Sequence, residues 1–388
     1  MSGDVLARWA LPAAMFVGSF AWSFVHVSLP FYIQDLSRYD AAATLRWTGF
    51  ILGISPLITV ITAPISGWLA GSRDPKRAFV WTQGLQAAGF VLMAFARTLG
   101  EIFFARCLLG AMGAVSTFAF IMAGRSGGDV RREVSEIQLG MTLGQVLGPA
   151  AGALTAARLG FRLSFLLSSV MLGLVAWLVA WGVPAGRGRA ASSQTRAGTA
   201  SLREIATVCV LVLGCLTQVF FLTAILPHVL PRLGVPVRSM LEVGGLVLLA
   251  DGLAMALGTM AAPRVAEALG DRRAVPWLLG SSSLCLAALS LATSVGTFVV
   301  IRFVQVLCIA PVFPLAVAAI AHRASGEVIG FLNSARIGAS FVGPVFATTL
   351  LAWFPPSSVE LSLAAIGLVL VPVVASGRSG RARERIAP

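Results

Sequence analysis

The sequence predicts an all-α membrane protein in which twelve transmembrane helices form two repeats of six helices each. Of its 388 residues, 57% are hydrophobic and only 12% are charged, whereas soluble domains carry about 25% charged residues. The apolar residues are grouped into segments of about 20 residues, a length that crosses roughly 30 Å of hydrocarbon as a helix. The second half of the chain also repeats sequence landmarks of the first half.

Twelve such segments can be placed along the chain, and we number them as spans 1 to 12. They cover, in order, residues 11–33, 47–70, 79–96, 99–121, 135–157, 163–183, 205–230, 241–262, 275–292, 296–316, 329–351 and 361–375. Residues 184–200 are rich in Gly, Ala, Ser and Arg, a composition typical of a flexible linker. We therefore predict an N-terminal six-helix bundle at residues 1–183, a cytoplasmic linker at 184–200 and a C-terminal six-helix bundle at 201–388.

The two halves share landmarks at nearly constant separations of 195 to 199 residues. The pairs are Ala63-Pro64 with Ala262-Pro263, Arg106 with Arg302, Gly148-Pro149 with Gly343-Pro344, and residues 24–36 with 221–233. Because six spans return the chain to the side from which it started, both repeats keep the same orientation and are related by an axis along the membrane normal. Repeats of this kind place a substrate site between them near the middle of the membrane. We therefore predict a central cavity lined mainly by spans 1, 4, 7 and 10.

The formal net charge of +13 reports membrane topology and not nucleic-acid binding. The basic residues lie in loops between the apolar spans and do not form one patch with interleaved aromatic residues. Most of them fall on the side of the N-terminus, so the positive-inside rule predicts that both termini lie in the cytoplasm. We expect a multi-pass protein of the inner, cytoplasmic membrane that acts as a monomer.

Several other classes of protein can be set aside. The five cysteines lie within apolar spans without paired spacing, so we interpret them as small hydrophobic residues and expect no disulfide, metal or cofactor. The motifs Gly53-Ile-Ser55 and Gly338-Ala-Ser340 match intramembrane serine proteases, but no histidine lies deep in a later span to act as the base. No phosphate-binding loop is present, which excludes an ATP-driven pump within this chain. We expect no enzymatic activity.

Span 5 carries a glycine at every fourth position. These residues are Gly140, Gly144, Gly148 and Gly152, which share one helical face. Pro149 lacks the amide that would bond the carbonyl group of Gln145, so it bends the helix within this face. We interpret the face as a hinge or seal that packs on Gly244 and Gly258 of span 8, and an ordinary packing seam is the plainer alternative.

Four ionisable residues fall deep in the predicted spans, and they are Asp251 in span 8, Arg106 in span 4, Arg302 in span 10 and Arg336 in span 11. An ionised side chain at the bilayer centre costs about 2.5–3.5 kcal/mol even on the most lenient scale, so each needs a reason to be there. Asp251 is the one deep acid, and we predict that it carries the coupling proton, with Arg336, Arg302 or water stabilising its anion. A structural ion pair is the alternative for these residues.

His26 and Arg106 complete the predicted proton-coupling set, because a histidine titrates near neutral pH. Three buried arginines against one aspartate predict a cavity that prefers anionic or zwitterionic molecules. The predicted substrate-binding residues are Arg302, Arg336, Asn333, Gln305, Gln218, Trp22 and Phe221. For His26 and the aromatic residues, ordinary helix packing is the alternative.

Three motifs resemble those of the major facilitator superfamily, and the likeness extends over essentially the whole chain. They are the segment from Gly67 to Arg77 between spans 2 and 3, Arg106-Cys-Leu-Leu-Gly110 in span 4, and the glycine and proline face of span 5. The first segment departs from the family pattern, because Gly71, Ser72 and Asp74 stand where the family has Asp, Arg and Gly. The gating residues that the resemblance implies are Gly67, Asp74, Lys76, Arg77, Gly140, Gly144, Gly148, Pro149 and Gly152.

The span 5 motif resembles the antiporter signature of drug:proton exporters. The resemblance therefore implies the major facilitator fold and a proton-driven exporter of the twelve-helix multidrug or tetracycline type. Its partners would be protons, a small-molecule substrate and the lipid bilayer. The alternatives are an exporter of an anionic metabolite such as a siderophore, and a proton symporter or uniporter that imports a small solute.

Overall fold

The computed structural model describes residues 3–72, 74–124, 129–183, 201–321 and 326–384. Within these ranges the chain forms sixteen α-helices, one short 3-10 helix at Val237–Ser239 and no strand. The helices are α1 Gly3–His26, α2 Ser28–Leu36, α3 Ala41–Ser72, α4 Pro75–Phe95, α5 Leu99–Ala111, α6 Val115–Gly124, α7 Val130–Leu159, α8 Phe161–Gly182, α9 Leu202–Phe220, α10 Leu222–Arg232, α11 Met240–Leu269, α12 Asp271–Leu289, α13 Val295–Ile309, α14 Val312–Ala321, α15 Gly326–Leu351 and α16 Pro356–Glu384. The predicted all-α class is confirmed.

Grouped in chain order, these helices overlap the twelve predicted spans. Spans 1, 4, 7 and 10 are each formed by two helices, namely α1 with α2, α5 with α6, α9 with α10, and α13 with α14. In the described part of the chain, eight segments are long and apolar enough to cross a membrane, and the bent pair α1 and α2 makes a ninth. Two further apolar helices, Arg273–Leu289 and Pro356–Pro372, are shorter, and α7 begins with several charged residues.

The divided spans are the first and fourth of each repeat. The axes of α1 and α2 differ by 41°, and α9 gives way to α10 at Phe221. Spans 4 and 10 are interrupted at residues 112–114 and 310–311. A break leaves carbonyl groups at a helix end without an intrahelical partner, and membrane proteins tolerate this where the segment is buried in protein or lines a cavity. The breaks thus fall in the four spans that the repeat pattern predicts to line the cavity.

The chain divides into two compact units. Unit 1 contains Met1–Ser193 and Pro236–Leu249, and unit 2 contains Gln194–Val235 and Ala250–Pro388. The first part of α11 therefore belongs with the first unit. The predicted linker at residues 184–200 lies outside the described residues, so the bundle boundaries next to it stay a prediction.

Each unit has its own apolar core. In unit 1 the core joins α1, α4, α6, α7 and α8, and Phe79 and Val175 are almost fully buried there. In unit 2 the core joins α9, α12, α13, α14 and α15 around residues such as Leu279. Each unit also buries one arginine among its described side chains, and these two arginines organise the polar clusters described next.

Candidate functional site

Asp251 and Arg302 form a buried ion pair in unit 2. Arg302 Nε donates to Asp251 Oδ1 and Oδ2 at 3.2 and 2.9 Å, and Arg302 Nη2 lies 2.9 Å from Oδ2. Arg302 is 0% exposed and Asp251 is 8% exposed. Three close contacts from one guanidinium match an ionised carboxylate, which only accepts hydrogen bonds. Of the two arginines predicted to stabilise this anion, the structure therefore places Arg302 beside it.

The remaining donors of Arg302 are also used. Nη1 donates to the carbonyl oxygen of Gln218 at 2.9 Å and to Gln305 Oε1 at 2.6 Å, and Nη2 donates to the carbonyl oxygen of Val219 at 2.9 Å. Gln218 and Val219 lie in the last turn of α9, so the positive guanidinium caps carbonyl groups that the helix end leaves open. With five N–H groups engaged, Arg302 can reach a substrate only if one of these contacts opens.

Gln218 extends this cluster to two more helices. Ser282 Oγ donates to Gln218 Oε1 at 3.0 Å, and Gln305 Nε2 donates to Ser282 Oγ at 2.8 Å. Gln218 Nε2 donates to Ser283 Oγ at 3.3 Å and to the carbonyl oxygen of Leu363 at 3.2 Å. The cluster thus joins α9, α11, α12, α13 and α16. Four residues that were predicted separately for proton coupling and substrate binding belong to it.

In unit 1, Arg106 has no carboxylate partner among the described residues. Its Nε and Nη2 atoms donate to the carbonyl oxygens of Ile51 and Leu52, both at 3.1 Å. The Leu52 carbonyl is available because Pro56, four positions later, has no N–H. The guanidinium also lies 5.5 Å from the centroid of the Trp22 ring. Arg106 is therefore held by backbone carbonyl groups and an aromatic ring.

Trp22 links this arginine to span 3. Trp22 Nε1 donates to Gln86 Oε1 at 3.2 Å, and Gln86 Nε2 donates to the carbonyl oxygen of Met112 at 2.6 Å, where α5 ends. An offset of 196 residues relates Trp22, Gln86 and Arg106 to Gln218, Ser282 and Arg302. The two units thus build polar clusters at equivalent repeat positions, and among the described residues only the cluster in unit 2 contains a carboxylate.

The other predicted site residues lie beside these clusters. His26 is the last residue of α1 and lies within electrostatic range of Arg106. The fully buried Phe221 ring has its centroid 5.2 Å from the guanidinium of Arg302. Arg336 Nε donates to Asn333 Oδ1 at 3.1 Å, and both side chains are exposed. The structure therefore keeps Arg336 and Asn333 together but does not include them in the hydrogen bonds around Asp251.

The glycine face of span 5 packs on span 1, and the predicted packing on span 8 is wrong. A Cβ atom added to Gly140 would lie 2.6 Å from the carbonyl oxygen of Pro12, and one added to Gly148 would lie 2.7 Å from Ser23 Cβ. A Cβ on Gly144 would meet the backbone of Phe16, and one on Gly152 would overlap the backbone of Phe24. The glycines bring the backbones of α7 and α1 together, and Pro149 lies between the last two of them.

The small residues of span 8 have other partners. A Cβ on Gly258 would lie 2.7 Å from the carbonyl oxygen of Leu307 in α13. Within unit 1, a Cβ on Gly245 would lie 2.5 Å from Ala153 Cβ and 3.2 Å from Ala150 Cα, so α11 does approach α7, but on alanines beside the glycine face. Glycine periodicity indicated close packing without identifying the partner, because a face without side chains carries no information about its neighbour.

The motif between spans 2 and 3 has local contacts. Asp74 is the N-cap of α4, and its side chain accepts a hydrogen bond from the backbone N–H of Lys76 at 3.0 Å. Arg77 Nε lies 3.7 Å from Asp74 Oδ2 at an exposed site, and Gly67 lies in the last turns of α3. Capping accounts for an acid at position 74, and the gating role of this motif stays a prediction.

Glu360 is a buried acid that the sequence patterns did not indicate. It is 0% exposed in the first turns of α16, and its Oε1 accepts from Arg232 Nη2 of α10 at 3.3 Å. Its Oε2 atom is buried without a hydrogen-bond partner in the described structure. The predicted span 12 begins one residue later, which places Glu360 in the loop before that span. The sequence signal that could have identified Glu360 is its position directly before the apolar span 12, together with the basic residue Arg232 at the end of span 7.

Comparisons with known proteins agree with this architecture. The model of the Major Facilitator Superfamily matches residues 11–250. The MFS-type transporter YuxJ of Bacillus subtilis is 25% identical over 346 residues, which cover 85% of this chain and 88% of YuxJ. The multidrug resistance protein MdtG of Proteus mirabilis is 29% identical over 98 residues, which cover 25% of this chain and 24% of MdtG.

A solved structure shows the same fold. The structure of a mutant of the nucleoside transporter NupG superposes with a TM-score of 0.80 at 11% sequence identity. The superposition covers 95% of this chain and 99% of NupG.

Proposed function

Because this chain belongs to the major facilitator superfamily and is therefore a membrane transporter and not an enzyme, we propose that it is a proton-coupled exporter of small organic molecules. It works by alternating access on substrates such as drugs or metabolites. We further propose that it is a monomer of the inner membrane with both termini in the cytoplasm, as the distribution of basic residues predicts.

The observation that carries this proposal is the buried pair of Asp251 and Arg302. A carboxylate inside a membrane protein is costly and marks a proton or ion pathway more often than a site of simple packing. Unit 1 binds its equivalent arginine with the backbone of Leu52, so the fold does not require an acid at this depth. An acid that the repeat architecture does not need supports a functional role for Asp251.

In the proposed cycle, Asp251 is an anion paired with Arg302 in one state and a neutral acid in another. Protonation removes the charge that holds the guanidinium between α11 and α13, and it frees donors of Arg302. Gln218 and Gln305 then hold the arginine in place. The state that follows can differ in its affinity for substrate, and by linkage substrate binding changes proton affinity by the same factor. His26 and Arg106 are the proposed proton-coupling residues of unit 1.

Export is supported by the glycine and proline face of span 5. Its motif resembles the signature of drug:proton antiporters. The chain is also similar in sequence, over 98 residues, to a multidrug resistance protein. Pro149 allows α7 to bend where it packs against α1, whose span is itself divided. Spans 1 and 5 can therefore change their bending where they pack together, and alternating access needs a contact of this kind.

The proposed substrate contacts are Trp22, Phe221, Gln218, Gln305, Asn333, Arg302 and Arg336. Among these, Arg336 and Asn333 are exposed, whereas Arg302 becomes available only when its pair with Asp251 opens. Arg106 and Arg302 both bind backbone carbonyl groups, which weakens the case for an anionic metabolite such as a siderophore. Neutral or zwitterionic drug-like molecules fit this arrangement better.

Proton flux measured with and without substrate tests the proposal. Purified full-length protein is placed in liposomes with a pH-sensitive dye inside, and tetracycline and ethidium are used as probes. An exporter moves protons against the direction of the probe, a symporter moves both in one direction, and a uniporter moves no protons. Asp251→Asn should keep probe binding and lose proton movement. The control is Asp35→Asn, at an exposed acid in the last turn of α2, and it should keep both. Full proton coupling in Asp251→Asn would leave this carboxylate as a structural ion pair.

A further inference from the structure

Glu360 is the second buried acid of unit 2, and the cycle proposed above does not use it. Its carboxylate is fully buried, one oxygen accepts from Arg232 at 3.3 Å, and the other oxygen has no hydrogen-bond partner in the described structure. A buried acceptor without a donor is unfavourable, because burial removes its hydrogen bonds to water and nothing replaces them. A proton on that oxygen would turn it into a donor and remove the charge that burial disfavours.

The pair joins α16 to the second half of span 7. Arg232 is the last residue of α10, the second half of span 7, and α10 is separated from α9 at Phe221. Glu360 lies near the start of α16. The side chain of Arg232 is 27% exposed and that of Glu360 is 0% exposed, so the arginine reaches solvent while the acid does not. The pair therefore connects a buried acid to the membrane surface at which span 7 ends.

Glu360 also lies next to the Asp251 cluster. Leu363, one turn further along α16, gives its carbonyl oxygen to Gln218, which in turn binds Arg302. Glu360 lies within electrostatic range of Arg302 as well as Arg232. A change of charge at Glu360 is thus felt by the same arginine that holds Asp251.

The other titratable groups around Glu360 are few. On α10, His228 lies one turn before Arg232. The charged residues of α9, α12 and α15, which also pack on α16, fall in the first half of each helix. Helices α9, α12 and α15 lie in spans 7, 9 and 11, and α16, which forms span 12, crosses the membrane in the opposite direction. The start of α16 therefore lies beside the C-terminal ends of those three helices, away from their charged residues. Arg232 and Arg302 are therefore the charged groups that act on Glu360.

We propose that Glu360 is a second proton-binding site, loaded from the outer side of the membrane, whose protonation releases Arg232 and frees α10 from α16. The inference rests on the proposed proton-coupled function and on its topology, in which span 7 ends and span 12 begins outside. A proton from the outer medium adds to the buried carboxylate, the neutral acid loses its attraction for the guanidinium, and the outer half of span 7 can turn about Phe221. Loss of the proton from Glu360 restores the carboxylate and, with it, the pair.

Infrared spectra recorded as a function of pH test this site without any substrate. Purified full-length protein in liposomes is titrated, and the carbonyl band of protonated carboxylic acids is compared among the wild type, Glu360→Gln, Arg232→Gln and His228→Gln. We expect Glu360→Gln to lose one component of this band. Arg232→Gln should keep the component, but the midpoint of its titration should lie about one pH unit higher. The reason is that this variant removes a nearby cation that favours the anion. His228→Gln is the matched control and should leave the spectrum unchanged.

A static ion pair gives a different result. It predicts that Glu360→Gln and Arg232→Gln lower thermal stability alike and leave the titrating band as in the wild type, and this outcome would overturn the proposal. Size-exclusion profiles identify any variant that fails to fold. If Glu360→Gln fails, the titration midpoint of the infrared band in Arg232→Gln decides whether Glu360 binds a proton. The proposed exporter function fails separately, if the wild-type protein transports tetracycline without moving protons. In that case the infrared titration still decides whether Glu360 binds a proton.

Discussion

Leu52 and Asp251 occupy the same position in the two repeats, and each accepts a hydrogen bond from the buried arginine of its own unit. They are 199 residues apart, the separation that also relates Ala63-Pro64 to Ala262-Pro263. Leu52 accepts through its backbone, which Pro56 leaves open, and the residue equivalent to Pro56 in α11 is Met255. Helix α11 has no such free carbonyl, and Asp251 supplies a carboxylate in its place.

This relationship predicts that the two arginines differ in what their removal costs. Arg302→Met would leave a buried carboxylate without its cation, which costs on the order of 3–5 kcal/mol. Arg106→Met would remove two hydrogen bonds to backbone carbonyl groups, of which only that of Leu52 lacks an intrahelical donor, and should cost less. Unfolding temperatures of the two purified variants compare these costs directly.

A double variant serves as the control for that comparison. Asp251→Leu combined with Arg302→Met should recover part of the lost stability, because no unpaired charge remains and leucine is the residue that unit 1 has at this position. A double variant that is less stable than Arg302→Met alone would show that the arginine acts mainly through its carbonyl contacts.

The same equivalence predicts that unit 1 can accept an acid. Leu52→Asp places a carboxylate close to Arg106, whereas Leu172→Asp places one in the middle of α8, and both leucines are at most 2% exposed. We expect Leu52→Asp to retain folded protein and Leu172→Asp to lose most of it, because only the first acid has a cation at hand. Yields of monodisperse protein after size exclusion provide the measurement, and equal losses would contradict the prediction.

The close approach of α7 and α1 predicts a strong position dependence for glycine substitutions. A Cβ atom on Gly152 would overlap the backbone of Phe24, which cannot move without shifting α1, whereas a Cβ on Gly173 of α8 meets nothing within 4 Å. Gly152→Ala should therefore reduce the unfolding temperature and the folded yield, and Gly173→Ala should leave both unchanged. If Gly152→Ala keeps wild-type stability but stops tetracycline transport, the face acts in the transport cycle and not in folding.

Asp74 allows capping and gating to be separated. Asp74→Ala removes the N-cap of α4 and should cost about 1 kcal/mol, while Asp74→Ser keeps a capping oxygen and should cost little. Transport of tetracycline is then compared at equal amounts of folded protein. Normal transport by Asp74→Ser would show that the carboxylate has no gating role, and a loss of transport at normal stability would assign one.

The sequence by itself determined the membrane fold, because a bilayer demands about 20 apolar residues for each spanning helix and tolerates few charges. It also determined the repeat, the depth of Asp251 and the existence of a close-packed face at Gly148. These features depend on local composition and spacing, which are visible without a structure.

The tertiary structure decided the partners. The rotation of neighbouring helices placed Arg302 and not Arg336 beside Asp251, and it placed α1 and not span 8 against the glycines of α7. The division of span 7 at Phe221 became clear only with the arginine that caps the carbonyl groups at the end of α9. Glu360 was missed because its burial comes from packing between α16 and α10, and burial between helices distant in sequence leaves no periodic trace in either one.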